Sequence, residues 1–181
     1  MKSMIKEEIT RIKNLMTISE ELEMGPYMDS TYLKTPEQAG IDEYETELIV
    51  FDTIKDAIEH NMKLVMIRPE YVQSARTLID DKGANLLVGT VIGFPHGDNS
   101  HGEKMDEALK AIQDGVDELD FVVNYKAFKK GDLDTVKKEV SEGTVIGISE
   151  GKSVKWIIES AALTSEEIAE LTKLIHPHHL V

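Results

Sequence analysis

The chain has 181 residues, 41% of them apolar, enough for one domain with a real core and too apolar for a disordered tract. Lysine and arginine total 20 against 34 aspartates and glutamates, a net charge of −14 that repels nucleic-acid phosphates and anionic lipid headgroups and argues against both as partners. Cysteine is absent, which excludes disulfides, thiolate nucleophiles and cysteine metal sites.

The opening MKSMIKEEITRIKNL has charges every few residues, unlike a secretory signal, and no later run reaches the roughly 18 apolar residues of a spanning helix. A soluble, cytoplasmic protein is expected. Ile5, Ile9, Ile12, Leu15, Met16 and Leu22 fall on helical spacing up to Gly25-Pro26, so residues 1–25 read as a helical extension of a single domain spanning 1–181. Short apolar or aromatic runs predict strands at Tyr27 to Thr31, Leu64 to Arg68, Leu86 to Phe94, Leu119 to Asn124 and Val154 to Glu159. Helical patterns lie between them, at Glu45 to His60, Pro69 to Asp81, Glu103 to Asp114, Leu133 to Val140 and Ser165 to Ile175. Thr164, with Glu167 three residues on, predicts a capping box for the last of these. This alternation is the sequence form of repeated βαβ units, so the fold class is α/β with a parallel sheet or barrel. Neither G-x-G-x-x-G nor G-x-x-x-x-G-K-[ST] occurs, which disfavours a dinucleotide or nucleoside triphosphate site.

Period-two alternation puts Leu119, Phe121 and Val123 on one face of the fourth strand, toward helices, and Asp120, Val122 and Asn124 on the other. An inward carboxylate needs a partner. On the fifth strand Lys155, Ile157 and Glu159 share the face of Asp120, so Lys155 is the expected counter-charge. Asp29 and Thr31 on the first strand, and Met66 and Arg68 on the second, complete that inner face. Charged groups at strand ends of a parallel α/β protein are where catalysis is expected, although a structural ion pair would look the same. Arg68, just before Pro69, suits contact with a helix end or solvent better than a ligand.

Gly93-Phe94-Pro95-His96-Gly97 reads as a glycine-bounded turn that lets backbone approach a small molecule. His96, Asp98 and His101 make a weak metal pattern within one loop, so no metal is assigned. His176, His178 and His179 form a terminal tail that could hold adventitious metal or simply fray.

Several blocks, in order, resemble the deoxyribose-phosphate aldolase family. YMDSTYLK at 27–34 resembles I-D-H-T-L-L-K, and MIRPEYV at 66–72 resembles C-V-N-P-x-Y-V. VIGFPHG at 91–97 matches V-I-G-F-P-H-G, DELDFVVN at 117–124 resembles D-E-I-D-M-V-I-N, and KWIIESAALTSEE at 155–167 resembles K-V-I-I-E-T-x-L-L-T-D-E-E. The resemblance implies a (β/α)8 TIM barrel without metal or organic cofactor, in which a lysine amine forms an imine with a sugar aldehyde and so acidifies the adjacent carbon. It implies reversible cleavage of 2-deoxy-D-ribose 5-phosphate to acetaldehyde and glyceraldehyde 3-phosphate. By the same resemblance Asp120 is the proton relay, Lys155 its charged neighbour, and Asp29, Thr31 and Met66 are substrate-binding positions.

There are departures. Ser30 stands where the family motif has histidine, and Met66 where it has cysteine. The family's imine-forming lysine belongs to a sixth-strand K-T-S-T-G-F, which does not occur between Ile175 and Val181. About five of eight β/α units are therefore expected, with the second lysine and the phosphate-binding loops also outside the sequence. Lys155 is the only lysine this reading places inside the barrel and so the only substitute nucleophile. Open first and fifth strands call for a covering partner, and a homodimer is the expected assembly. A non-catalytic scaffold or partner-binding half-barrel remains the alternative function.

Overall fold

The computed structural model describes Arg11 and residues 24–176. The helical reading of 1–25 and the histidines at 178 and 179 fall almost wholly outside these residues. A 3-10 turn at Gly25–Tyr27 leads into β1 (Asp29–Tyr32), followed by α1 (Pro36–Ala39), α2 (Glu43–Glu59), β2 (Leu64–Ile67) and α3 (Val72–Asp81). Then come β3 (Leu87–Ile92), α4 (His101–Gln113), β4 (Glu118–Val122), α5 (Tyr125–Lys129), α6 (Leu133–Ser149), β5 (Ser153–Ile157) and α7 (Ser165–Ile175). All the strands are parallel, in the sheet order β1-β2-β3-β4-β5. Each strand pairs with its predecessor in the chain, and every connection carries helix, as parallel neighbours need a long crossover.

Alternation sorts the strand residues as expected. Val65, Ile67, Val88, Ile92, Leu119 and Phe121 are buried under the helices with Val50, Ile54, Val72, Ile79 and Ala108. Phe121 stacks on Trp156 with ring centroids 4.8 Å apart, and the Trp156 indole N–H donates to Thr144 Oγ1 on α6. On the opposite face Leu64, Met66 and Val91 form a smaller apolar cluster, joined by Leu33, Phe94 and Ile157. Gly89 makes room for it, since a Cβ there would stand 2.7 Å from Met66 Cε.

The differences from expectation have local causes. α6 runs nine residues past the expected Val140, to Ser149; Gly143 and Gly147 dilute its apolar pattern but let it lie close on β5. A Cβ at Gly147 would meet Val154 Cγ2 at 2.2 Å, so these glycines serve close packing rather than helix termination. β3 ends at Ile92 because Gly93 turns to a φ of 67°. The short α5 carries no long periodic pattern and is held by Asn124, whose Oδ1 accepts from Ala127 N at 2.9 Å. The capping box at Thr164 and Glu167 is present, with both reciprocal hydrogen bonds formed. Among the described residues no helix is long and apolar enough to cross a membrane.

Candidate active site

Strand register organises the inner face into rows. Thr31, Met66, Gly89, Glu118 and Ser153 align across the sheet, and Val91, Asp120 and Lys155 form the next row toward the C-terminal strand ends. Ends of this kind are where a parallel α/β sheet presents reactive groups. Asp120 is directly opposite Lys155 in register. The Lys155 ammonium nevertheless bonds Glu118 Oε1 and stands 3.7 Å from Asp120 Oδ2.

This arrangement leaves Asp120 short of partners. Among the described residues its buried Oδ1 finds no hydrogen-bond partner. Burial pushes its pKa up to about 6; Lys155 opposes the rise, and the charges of Glu118 and Asp29 add to it. A carboxyl tuned to that range can both give and take a proton near neutrality. Lys155 moves the other way. Burial disfavours its charge, but the bond to Glu118 and the charges of Asp120 and Asp29 outweigh that and hold it above the ordinary lysine value. An amine held as ammonium is a poor nucleophile, and the position of Lys155 is that of a charged neighbour of Asp120.

Asp29 and Thr31 are exposed on β1, at one edge of the sheet, with Asp29 close enough for its charge to act on both Asp120 and Lys155. Met66 is buried in the apolar inner cluster, one row below Asp120. Three expected members of the inner face lie elsewhere. Arg68 follows the end of β2 and bonds Glu70 Oε1 at 3.0 Å, in the 3-10 turn that Pro69 begins. Glu159 lies beyond the end of β5 at a φ of 53°, where strand alternation no longer applies. Asn124 likewise leaves the strand pattern to cap α5.

Sequence reasoning passed over Glu118, because its expected strand began at Leu119; one more residue of alternation would have put it beside Asp120. It also missed a second ion pair, on the helix side. Lys104 of α4 is fully buried, and its Nζ donates to Gly97 O at 2.6 Å, to Val122 O at 2.7 Å and to Glu139 of α6. Glu139 Oε2 in turn accepts from Asn124 N at 3.1 Å. Burial lowers the Lys104 pKa, opposed by Glu139. The turn at Gly93 to Gly97 is built around this lysine. A Cβ at Gly93 would meet Lys104 Cε at 2.7 Å and one at Gly97 would meet Val123 O at 2.3 Å. The close approach expected of these glycines is therefore to the protein's own chain.

The loop metal pattern disperses. Asp98 pairs with Lys126, His101 Nε2 lies 2.6 Å from Glu142 Oε2, and His96 is exposed. A cavity of about 650 Å³ lies at the opposite end of the strands, between Pro26, Met62, Lys63, Lys82 and Leu87, away from Asp120 and Lys155. A groove of about 410 Å³ follows β5, at the other edge of the sheet, and is lined by Lys155, Trp156, Ile158 and residues of α7.

No family model matches the chain. Its sequence is similar to the deoxyribose-phosphate aldolase of Thermococcus gammatolerans, 36% identical over 146 residues that cover 81% of this chain and 61% of the relative. With the deoxyribose-phosphate aldolase of Lactiplantibacillus plantarum it shares 34% identity over 158 residues, 87% of this chain and 69% of that one. The chain thus spans roughly three fifths to two thirds of these relatives' length. Among solved structures it is similar to QR15, an aldolase, at 30% identity and a TM-score of 0.67, covering 84% of this chain and 63% of that one. The tetrameric deoxyribose phosphate aldolase of Aeropyrum pernix superposes with a TM-score of 0.72 at 23% identity, covering 87% and 61% of the two chains. That last likeness is one of fold, and it matches the parallel sheet to about five β/α units of a TIM barrel.

Proposed function

Because the chain belongs to the deoxyribose-phosphate aldolase family, we propose that it forms the Asp120 half of an aldolase that cleaves 2-deoxy-D-ribose 5-phosphate to acetaldehyde and glyceraldehyde 3-phosphate. Asp120 carries the reading: it is a partly buried carboxyl whose Oδ1 has no hydrogen bond among the described residues, with its pKa pushed up to about 6, set beside a lysine at the C-terminal strand ends. In the synthetic direction its carboxylate takes the proton from the carbon next to an imine, and its carboxylic acid then protonates the oxygen formed as the new carbon–carbon bond closes. Lys155 balances the ionised form, and Asp29 and Thr31 bind substrate hydroxyls beside the apolar Met66. The imine-forming lysine and the phosphate-binding groups belong to the part of the relatives' length that this chain does not span. Assembly with a second copy covers the open strand edges.

Intact-mass spectrometry after borohydride reduction in the presence of 2-deoxyribose 5-phosphate tests this. The 20.3 kDa chain is expected to carry no adduct, because Lys155 is held as an ammonium ion. A chain that continues through K-T-S-T-G-F is expected to trap one. Absence of an adduct in the longer chain would leave the scaffold reading in place, and an adduct on Lys155 of the short chain would overturn the role given to that residue.

A further inference from the structure

Register alone would pair Lys155 with Asp120, since the two are partners across β4 and β5. The ammonium instead reaches back one row to Glu118. Glu118 holds the ammonium although the two carboxylates are of similar exposure, 8% for Glu118 and 15% for Asp120, while Lys155 is 49% exposed and its long stem can serve either. Among the described residues the charged groups that act on Asp120 are few. Glu118 comes from its own strand, Lys155 from β5 and Asp29 from β1, while β2 and β3 present the apolar Met66 and Val91. The Lys155 ammonium is therefore shared unequally between Glu118 and Asp120, with Asp29 acting only through its charge, and Asp120 receives the lesser share.

We propose that Glu118 is a positioning residue that holds the Lys155 ammonium off the Asp120 carboxyl, on the side of its Oδ2, and so keeps that carboxyl able to exchange a proton with a bound carbonyl compound. This rests on the reading of Asp120 as the proton carrier and names the residue that tunes it. An ammonium seated on Asp120 would favour the ionised carboxylate strongly, because an opposite charge in contact lowers a carboxyl pKa by about 1–3 units. Such a group takes up protons poorly at neutral pH. Glu118 prevents that by geometry as well as by charge.

Charge and geometry separate in two variants, read by carbon NMR titration of the Asp120 carboxyl in the 181-residue chain. Glu118→Gln removes the anchor and its charge, and the Asp120 midpoint is expected to fall by about one unit or more as the ammonium moves over. Glu118→Asp keeps the charge and only shortens the arm. It is expected to lower the midpoint too, and to lose that effect when combined with Lys155→Met. An unchanged midpoint in Glu118→Asp overturns the proposal, because Glu118 would then act by charge alone. If Glu118→Gln does not fold, Glu118→Asp decides the matter by itself. The titration is read on Asp120 directly, so its outcome is independent of turnover, whereas failure of the aldolase reading shows in borohydride trapping.

Discussion

Two lysines in this chain meet two carboxylate sites under opposite rules. Lys104 is fully buried and spends its ammonium on Gly97 O, Val122 O and Glu139, and Glu139 passes the connection on to Asn124 N. Every charge there has a partner, and the partners come from the turn after β3, the end of β4 and α6. Lys155 sits on an edge strand, half in solvent, between Glu118 and Asp120, and the Asp120 Oδ1 is left bare. A saturated buried network fixes backbone, whereas an unsaturated one keeps a group ready to change protonation state. The first cluster thus fixes the turn after β3 and the end of β4, the strand that carries Asp120.

The sharpest way to break that contrast is Lys104→Met. If the pair is structural, its loss leaves Glu139 as an uncompensated buried charge and should cost about 3–5 kcal/mol in urea unfolding. Adding Glu139→Leu removes the stranded charge but not the need of Gly97 O, Val122 O and Asn124 N for partners, so the double variant should regain only part of the loss. Full recovery would mean that the network does not hold the turn. Asp120→Asn attacks the other cluster. In an aldolase chain of the relatives' full length it should lower turnover by about 100-fold or more, with little change in substrate affinity. Near-normal turnover would remove Asp120 from the proton path.

How much of this contrast was legible in the sequence depends on which residues carried a pattern. Asp120 and Lys155 stand in strands with strict alternation, so their shared face could be read directly, as could the α/β alternation and the Thr164 capping box. Glu118 was lost to a strand boundary set one residue late. Lys104 was illegible for a different reason. Its position on α4 looks like any solvent-facing lysine, and only the tertiary arrangement of Gly93, Gly97 and Glu139 creates the buried space it fills. Alternation does not extend past the strand ends to Arg68 and Glu159, where Pro69 and a positive φ redirect the chain, and the reading of Arg68 as a residue for local contact rather than a ligand agrees with its bond to Glu70. Helix α6 was cut short because glycines that permit close packing resemble glycines that end helices.

The smallest effect is also the most diagnostic, because its sign differs from that of an ordinary ion-paired carboxylate. Asp120 has its pKa raised on folding from 3.8 to about 6, so the folded state binds the proton more tightly than the unfolded chain does. Its contribution to stability is therefore fully present below about pH 4 and is lost as the pH rises through about 6. A paired aspartate would do the reverse. Asp120→Asn cannot ionise, so it should gain stability relative to the parent chain by about 1–3 kcal/mol between about pH 4.5 and about pH 8, less than the full shift implies because the group is not wholly sealed from solvent. Urea unfolding of the two chains at both pH values measures the difference. A gap that stays constant with pH would mean that Asp120 is fully neutralised by Lys155, and the two clusters would then obey the same rule.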